Sequence, residues 1–262
     1  MNTVLSVQGL RQSYGGVEAL RGIDFELKAG ECVALIGPNG AGKSTCFACL
    51  AGQQKALAGS LVWRGHDLQQ STVEMRTRLG VARTFQVAQV FEALTVLQNL
   101  QLVLQSSHGV SMRDLLDECL LDEARHWVAQ AGLNDLGEEM LRSPAARLSY
   151  GGKKRLELAM AMAGLPDASQ GLMLLDEPAA GLAPEERADM MERVKRMTHL
   201  GTTVLYTEHN MDAVFGVAVR VLVLIDGQLV AQGSPEEVAA HSVVRERYLG
   251  QHFSLGQEPV RA

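Results

Sequence analysis

Polar and apolar positions along this chain follow three different rhythms. Near the start, polar and apolar residues alternate in short stretches. The clearest are Val4-Leu5-Ser6-Val7, Glu18-Ala19-Leu20 and Ile23-Asp24-Phe25-Glu26-Leu27, with a turn at Ala29-Gly30. Alternation with a period of two marks strands with one face buried, so short strands are expected here. Ser60-Leu61-Val62-Trp63 reads as a further strand, and Arg64-Gly65-His66-Asp67 as the turn after it.

From about Phe91 to Leu165 the rhythm becomes helical. Leu115, Leu116, Cys119, Leu120, Ala124, Trp127, Val128 and Ala131 form one apolar face, and Asp114, Asp117, Glu118, Asp122 and Glu123 the other. Ser111 is a candidate N-cap and Gly132 a stop. The third rhythm is continuous. Cys32-Val33-Ala34-Leu35-Ile36, Leu172-Met173-Leu174-Leu175 and Val221-Leu222-Val223-Leu224-Ile225 are unbroken apolar runs, and Thr203-Val204-Leu205-Tyr206-Thr207 reads as another strand. All read as strands, and the run at 172–175 suits a strand of a parallel sheet buried on both faces. Asp226-Gly227 and Leu229-Val230-Ala231 close a hairpin on one of them. Ser234-Pro235-Glu236-Glu237 is a capping box for a short C-terminal helix, and the last dozen residues read as loose. The pattern is one α/β domain with a helical insertion.

Composition narrows the picture. At 262 residues the chain can bury a large core; 47% hydrophobic and 21% charged residues exclude extensive disorder. The net charge of −6, with no segregated basic face, argues against nucleic acid as a partner. The N-terminus lacks a basic start with an apolar run, so the chain is expected to stay inside the cell. Its longest apolar stretch, 214–225, is broken by Arg220 and falls short of the roughly 20 residues that span a bilayer. Any membrane role is therefore expected to be peripheral. Cys46 and Cys49 have C-x-x-C spacing, but without a second pair they read as packing residues on an apolar helix.

The candidate chemistry lies at the ends of the apolar runs. Gly37-Pro38-Asn39-Gly40-Ala41-Gly42-Lys43-Ser44-Thr45 follows the first of them and precedes a helical stretch from Cys46 to Leu50. Strand, glycine-rich loop and helix are the context a phosphate-binding loop needs: backbone N–H groups curl around the anion, Lys43 adds charge and Ser44 a hydroxyl for Mg²⁺. The second run ends in Asp176-Glu177. Because successive strand residues point to opposite faces, the two carboxylates are expected to divide the work, one holding Mg²⁺ and the other orienting or deprotonating water. His209 follows the strand Thr203–Thr207 and is either an ordinary surface or core histidine or one that reaches a γ-phosphate. Tyr14, in the loop Ser13-Tyr14-Gly15-Gly16, is either a turn aromatic or a stacking platform for a base. Pro184-Glu185-Glu186 reads as a helix start with no functional role.

Leu148-Ser149-Tyr150-Gly151-Gly152, upstream of Asp176, completes the set. With the phosphate loop, Gln86, Asp176-Glu177 and His209 in that order, the chain resembles the ATP-binding cassette family across nearly its whole length, the stretch at 148–152 standing where the family has L-S-G-G-Q. Tyr150 replaces the first glycine and Gly152 the glutamine. The tyrosine, together with Ala82-Arg83-Thr84-Phe85-Gln86, Phe91-Glu92-Ala93-Leu94-Thr95-Val96 and Glu177-Pro178-Ala179-Ala180-Gly181-Leu182, is similar to the ATPases of branched-chain amino-acid uptake systems.

The resemblance implies a P-loop NTPase fold of the ABC type. It would have a mixed sheet core and an antiparallel N-terminal β region (1–86 and 166–235), a helical lobe at about 87–165, and a C-terminal helix and tail at 236–262. It implies that Tyr14 stacks on the adenine of ATP and that Gly37, Asn39, Gly40, Ala41, Gly42, Lys43 and Thr45 cradle its phosphates. Ser44 and Asp176 would hold Mg²⁺, with Gln86 contacting metal or water and sensing the membrane partner. Glu177 would be the general base and His209 a γ-phosphate contact. Ser149 and Gly151 would bind the ATP of a second ABC ATPase subunit, identical to this chain or different, in a head-to-tail dimer. The implied partners are integral membrane permease subunits and, indirectly, an extracytoplasmic substrate-binding protein, with the chain held at the cytoplasmic face of the inner membrane. Lys153-Lys154-Arg155, cations at a helix N-terminus, are expected to be offset by phosphate from the partner copy. A soluble cassette acting on DNA or ribosomes would carry a tandem duplication, a coiled-coil insertion or zinc sites, which this sequence lacks. Unrelated phosphate-loop switches are disfavoured by the 133 positions from Lys43 to Asp176, which the helical lobe must fill.

Overall fold

In the computed structural model, residues 2–109 and 118–250 are described. The expected helix start at Ser111 and the apolar positions Leu115 and Leu116 lie outside them, as does the C-terminal dozen.

Among the described residues, ten strands form two sheets. The first is antiparallel, in the order β2-β1-β4-β5, from β1 (Thr3–Tyr14), β2 (Val17–Lys28), β4 (Ala58–Trp63) and β5 (His66–Asp67). Here the sequence reading is corrected. The N-terminal strands are two long hairpin arms of 12 residues each, because register shifts at Val7/Leu10 and Gln12/Ser13 carry the pairing through positions that break alternation. His66-Asp67 pairs with β4 instead of remaining in the turn.

The second sheet runs β10-β9-β3-β8-β7-β6, from β3 (Cys32–Ile36), β6 (Val81–Arg83), β7 (Leu172–Asp176), β8 (Thr203–Thr207), β9 (Arg220–Ile225) and β10 (Gln228–Gly233). All its pairs are parallel except β9 with β10. Every residue of β3, β7 and β8 is buried, as the continuous apolar runs require.

One core lies between the sheets around α1 (Lys43–Ala51), where Cys46, Phe47, Cys49 and Leu50 are fully buried. Burial pushes the Cys49 thiol up to about 11, which leaves it an inert packing group. The buried guanidinium of Arg76, on α2 (Val73–Arg78), donates to the carbonyls of Cys49 and Leu50 and so anchors the far end of α1. A second core covers the other face of the parallel sheet with α7 (Pro184–His199), α8 (Met211–Phe215) and α9 (Pro235–Ala240).

The helical lobe has a third core of its own, built from α3 (Val96–His108), α4 (Glu118–Gln130), α5 (Gly137–Leu141) and α6 (Tyr150–Ala163). Gly132, at φ +61°, ends α4 as expected: its N–H reaches Ala129 O, and Leu133 N–H reaches Val128 O. The box at Ser234 and Glu237 also forms, with the two residues exchanging hydrogen bonds at 2.7 and 3.2 Å.

Candidate functional site

Four adjacent strands, β3, β8, β7 and β6, end on the same edge of the parallel sheet. Their carboxyl ends deliver the phosphate loop, His209, Asp176-Glu177 and Gln86 respectively, the place where open α/β sheets bind ligands.

The loop is shaped by backbone constraint. Gly37 has φ +149°, and a Cβ there would sit 1.9 Å from Leu224 O. Gly42, at φ +105°, serves as the N-cap of α1 with no side-chain cap and no acid in the first turn, so the helix N-terminus is left open toward an anion. Lys43 Nζ donates to the carbonyls of Gly37 and Pro38 at 2.6 and 3.1 Å, folding its charge back over the loop. Burial pulls its pKa down, while the charges of Glu177 and Asp176 pull it back up. Ser44, Asn39 and Gly40 are exposed, Thr45 is half-buried and Ala41 is buried.

Asp176 closes β7. Its carboxylate accepts from Thr207 Oγ1 at 2.8 Å and from Arg83 Nη2 at 2.7 Å. Arg83 is itself sandwiched, its guanidinium 5.8 Å from the Phe47 ring and 5.3 Å from the Phe85 ring. Thr207 Oγ1 also accepts the Glu177 N–H at 3.0 Å, so one hydroxyl fixes both acids.

The two acids are separated, but the expected reason is corrected. The strand ends at Asp176, and Glu177 has φ +48°, so a left-handed backbone turn rather than strand alternation swings its carboxylate away. That conformation costs a non-glycine residue roughly 1 to 2 kcal/mol, a cost tolerated where function demands the geometry. Glu177 Oε2 accepts from Gln86 Nε2 at 2.9 Å, and its Oε1 lies 2.9 Å from His209 Nε2. Gln86 and His209, read separately from the sequence, thus converge on the Glu177 carboxylate. Glu208 behind them is buried, which pushes its carboxyl pKa up; it accepts from Ala179 N at 2.9 Å and His209 N at 3.2 Å and so steadies both neighbouring loops.

The donors fit a hard divalent cation. Asp176, the exposed Ser44 hydroxyl and the Gln86 amide supply oxygen, and Mg²⁺ takes few protein oxygens alongside phosphates. Among the described residues there is no cluster of three or more His, Cys, Asp or Glu that would make an all-protein metal cage.

Ser149 Oγ caps α6 by accepting Gly152 N–H at 3.1 Å, so the helix start is intact with glycine at 152. A Cβ on Gly151 would come 2.6 Å from Glu186 Oε1, so the helix-start glutamate sequence reasoning passed over walls this glycine. Ser149 is exposed, and Tyr150 OH donates to Gln86 O at 3.2 Å. The expectation for the basic triplet is also corrected, since all three cations find partners within the chain. Lys153 pairs with Glu92, Lys154 Nζ donates to Phe85 O at 2.9 Å, and Arg155 Nη1 donates to Gly132 O at 2.6 Å. Tyr14 stands at the end of β1, 47% exposed.

Arg83, Thr207, Glu208 and Glu157 were given no role from the sequence, and Lys154 was read only as one of three cations at a helix start. The usable signal was charge on a helix face otherwise apolar: Lys154 and Glu157 lie among Leu156, Leu158 and Ala159 and are buried with them.

A phosphate loop, two differently held acids and a glutamine and histidine on the second acid define a P-loop nucleoside-triphosphatase. Residues 20–180 match the ABC transporter family, and the chain belongs to that family, as an ATP-hydrolysing subunit. It is 36% identical over 261 residues to the high-affinity branched-chain amino acid transport ATP-binding protein LivG of Salmonella typhimurium, covering 95% of this chain and 98% of that one. It is 37% identical to LivG of Escherichia coli K12, with the same coverage. Among solved structures, an ATP-binding cassette of an ABC transporter in its ADP conformation superposes with a TM-score of 0.81 at 26% identity, over 96% of this chain and all of that one.

Proposed function

We propose that this chain powers an importer for branched-chain amino acids or a related small polar solute. The observation that carries the chemistry is the convergence of Gln86 and His209 on Glu177, beside an open phosphate loop. In this reading Gly37, Asn39, Gly40, Ala41, Gly42, Lys43 and Thr45 hold the phosphates of ATP and Tyr14 stacks on its adenine. Ser44, Asp176 and Gln86 hold Mg²⁺, which when bound neutralises charge developing on the phosphates. Glu177 takes the proton of the attacking water, with His209 and Gln86 fixing its orientation. Ser149 and Gly151 complete the site of a second copy. The division into a core at 1–86 and 166–235, a lobe at about 87–165 and a tail at 236–262 belongs to the same proposal.

No helix among the described residues is long and apolar enough to cross a membrane. We therefore assign the membrane path to separate permease subunits, fed by an extracytoplasmic substrate-binding protein, with this chain at the cytoplasmic face of the inner membrane. A groove of about 460 Å³ between core and lobe, lined by Arg78, Phe91 and Val103 among others, suits a permease segment. Similarity to LivG over the full length supports the solute class. The test is copurification from membranes: the captured permease should give hydrolysis stimulated by branched-chain amino acids with their binding protein. Stimulation by a lipid, or by an exported solute, would overturn the assignment.

A further inference from the structure

Gln86 lies on an irregular segment after β6, and the distance from its amide to Glu177 depends on what holds that segment. Its last ladder bond to the sheet is Thr84 N–H to Leu174 O at 3.0 Å. Beyond it, three side chains on one face of α6 take over. Glu157 Oε1 accepts both Phe85 N–H and Gln89 N–H at 3.1 Å each, Lys154 Nζ donates to Phe85 O at 2.9 Å, and Tyr150 OH donates to Gln86 O at 3.2 Å. Further along, Asn99 of α3 brackets Phe91: it accepts from the Phe91 N–H at 2.8 Å and donates to the Phe91 carbonyl at 3.0 Å. Ala145 and Ala146 donate to Leu94 O and Glu92 O. The segment from Phe85 to Leu94 is therefore bonded to the lobe, while Glu177 and His209 belong to the sheet.

Positions 150, 154 and 157 fall on one stripe of a helix. Lys154 and Glu157 are 2% and 5% exposed, and burying such groups is costly unless each finds a partner. Burial pushes the Glu157 carboxyl up and the Lys154 ammonium down, so neither charge is held cheaply. Their partners are the backbone of the segment carrying Gln86.

We infer that Tyr150, Lys154 and Glu157 are positioning residues, a clasp that makes the reach of Gln86 to Glu177 depend on the position of α6. Ser149 caps the same helix. The inference rests on the catalytic role proposed for Gln86 and Glu177.

The test combines amide exchange with a mutant cycle on the full chain. Glu157→Ala should speed exchange at Phe85 and Gln89 about tenfold and lower kcat for Mg-ATP about tenfold, the worth of a charge-assisted hydrogen bond. ATP affinity should stay within about twofold. Glu157→Gln keeps a carbonyl acceptor and should restore both readouts. In a Gln86→Ala background, Glu157→Ala should lower kcat no further. Unchanged exchange, or an equal further loss of kcat in that background, overturns the clasp. If Glu157→Ala does not fold, Tyr150→Phe replaces it in the same cycle. Its expected loss of about threefold must vanish when Gln86 is already alanine, and persistence of that loss overturns the clasp. Failure of the catalytic reading looks different: Gln86→Ala and Glu177→Gln would then leave hydrolysis intact while the exchange result still stood.

Discussion

His209 Nε2 lies 2.9 Å from Glu177 Oε1, and the two residues extend from neighbouring parallel strands in which Asp176 is paired with Thr207. The histidine thus orients the carboxylate from the side opposite Gln86. His209→Ala is expected to lower kcat about 10² to 10³-fold while KM for ATP changes less than about threefold. A steady-state rate profile checks this; a rise in KM with kcat preserved would make His209 a binding residue only.

Arg83 and Asp176 form a buried pair at 2.7 Å, both side chains largely shielded from solvent. Removing one partner of a buried pair strands the other charge. Arg83→Met should cost about 3 kcal/mol in urea denaturation, and clearly less when Asp176 is already asparagine. Equal costs in both backgrounds would mean that the guanidinium packs on Phe47 and Phe85 without supporting the acid.

Glu31 gives the fold a pH dependence. Burial pushes its carboxyl up, but the Arg220 guanidinium, bonded to both oxygens at 2.7 and 2.9 Å, and the Lys28 N–H outweigh this and hold it below its ordinary value of 4.5. A carboxyl lowered in the folded state stabilises the fold above its unfolded pKa and loses that contribution as pH falls. The wild type should therefore lose stability on acidification below about pH 4.5 more steeply than Glu31→Gln, which should already be weaker at pH 7 by about 3 kcal/mol. Parallel acid titrations of the two proteins would contradict this.

Two loop glycines should respond differently to alanine. At Gly37 a Cβ meets Leu224 O at 1.9 Å, so the backbone must move; Gly37→Ala should yield little folded protein. At Gly40, φ is +81° and nothing lies within 4 Å, so only the left-handed backbone penalty of about 1 to 2 kcal/mol remains. Thermal melts of the two variants, read side by side, check the ranking.

Features made of contiguous residues were legible in the sequence. The phosphate loop, the buried strands, the Gly132 stop and the Ser234 box each follow from spacing and residue type, and each formed where expected. Features made by tertiary placement were not. Arg83 is one polar residue ending a short strand until β7 lies beside it. Thr207 reads as a β-former until its hydroxyl bridges Asp176 and Glu177. The left-handed turn at Glu177 has no glycine to announce it, and the long N-terminal hairpin hides its length behind register shifts. Lys153, Lys154 and Arg155 resembled an uncompensated basic helix start because their partners, Glu92, Phe85 and Gly132, are remote in sequence.

The central claim is that one chain holds half of two ATP sites, with Lys43, Asp176 and Glu177 on one side and Ser149 and Gly151 offered to a second copy. The direct measurement is the molecular mass of the Glu177→Gln variant by light scattering, with and without Mg-ATP. We expect the mass to double with Mg-ATP, hydrolysis to be lost, and the doubling to disappear when Ser149→Arg is added. A variant that binds ATP yet stays monomeric, or that hydrolyses ATP at the wild-type rate, would contradict the account.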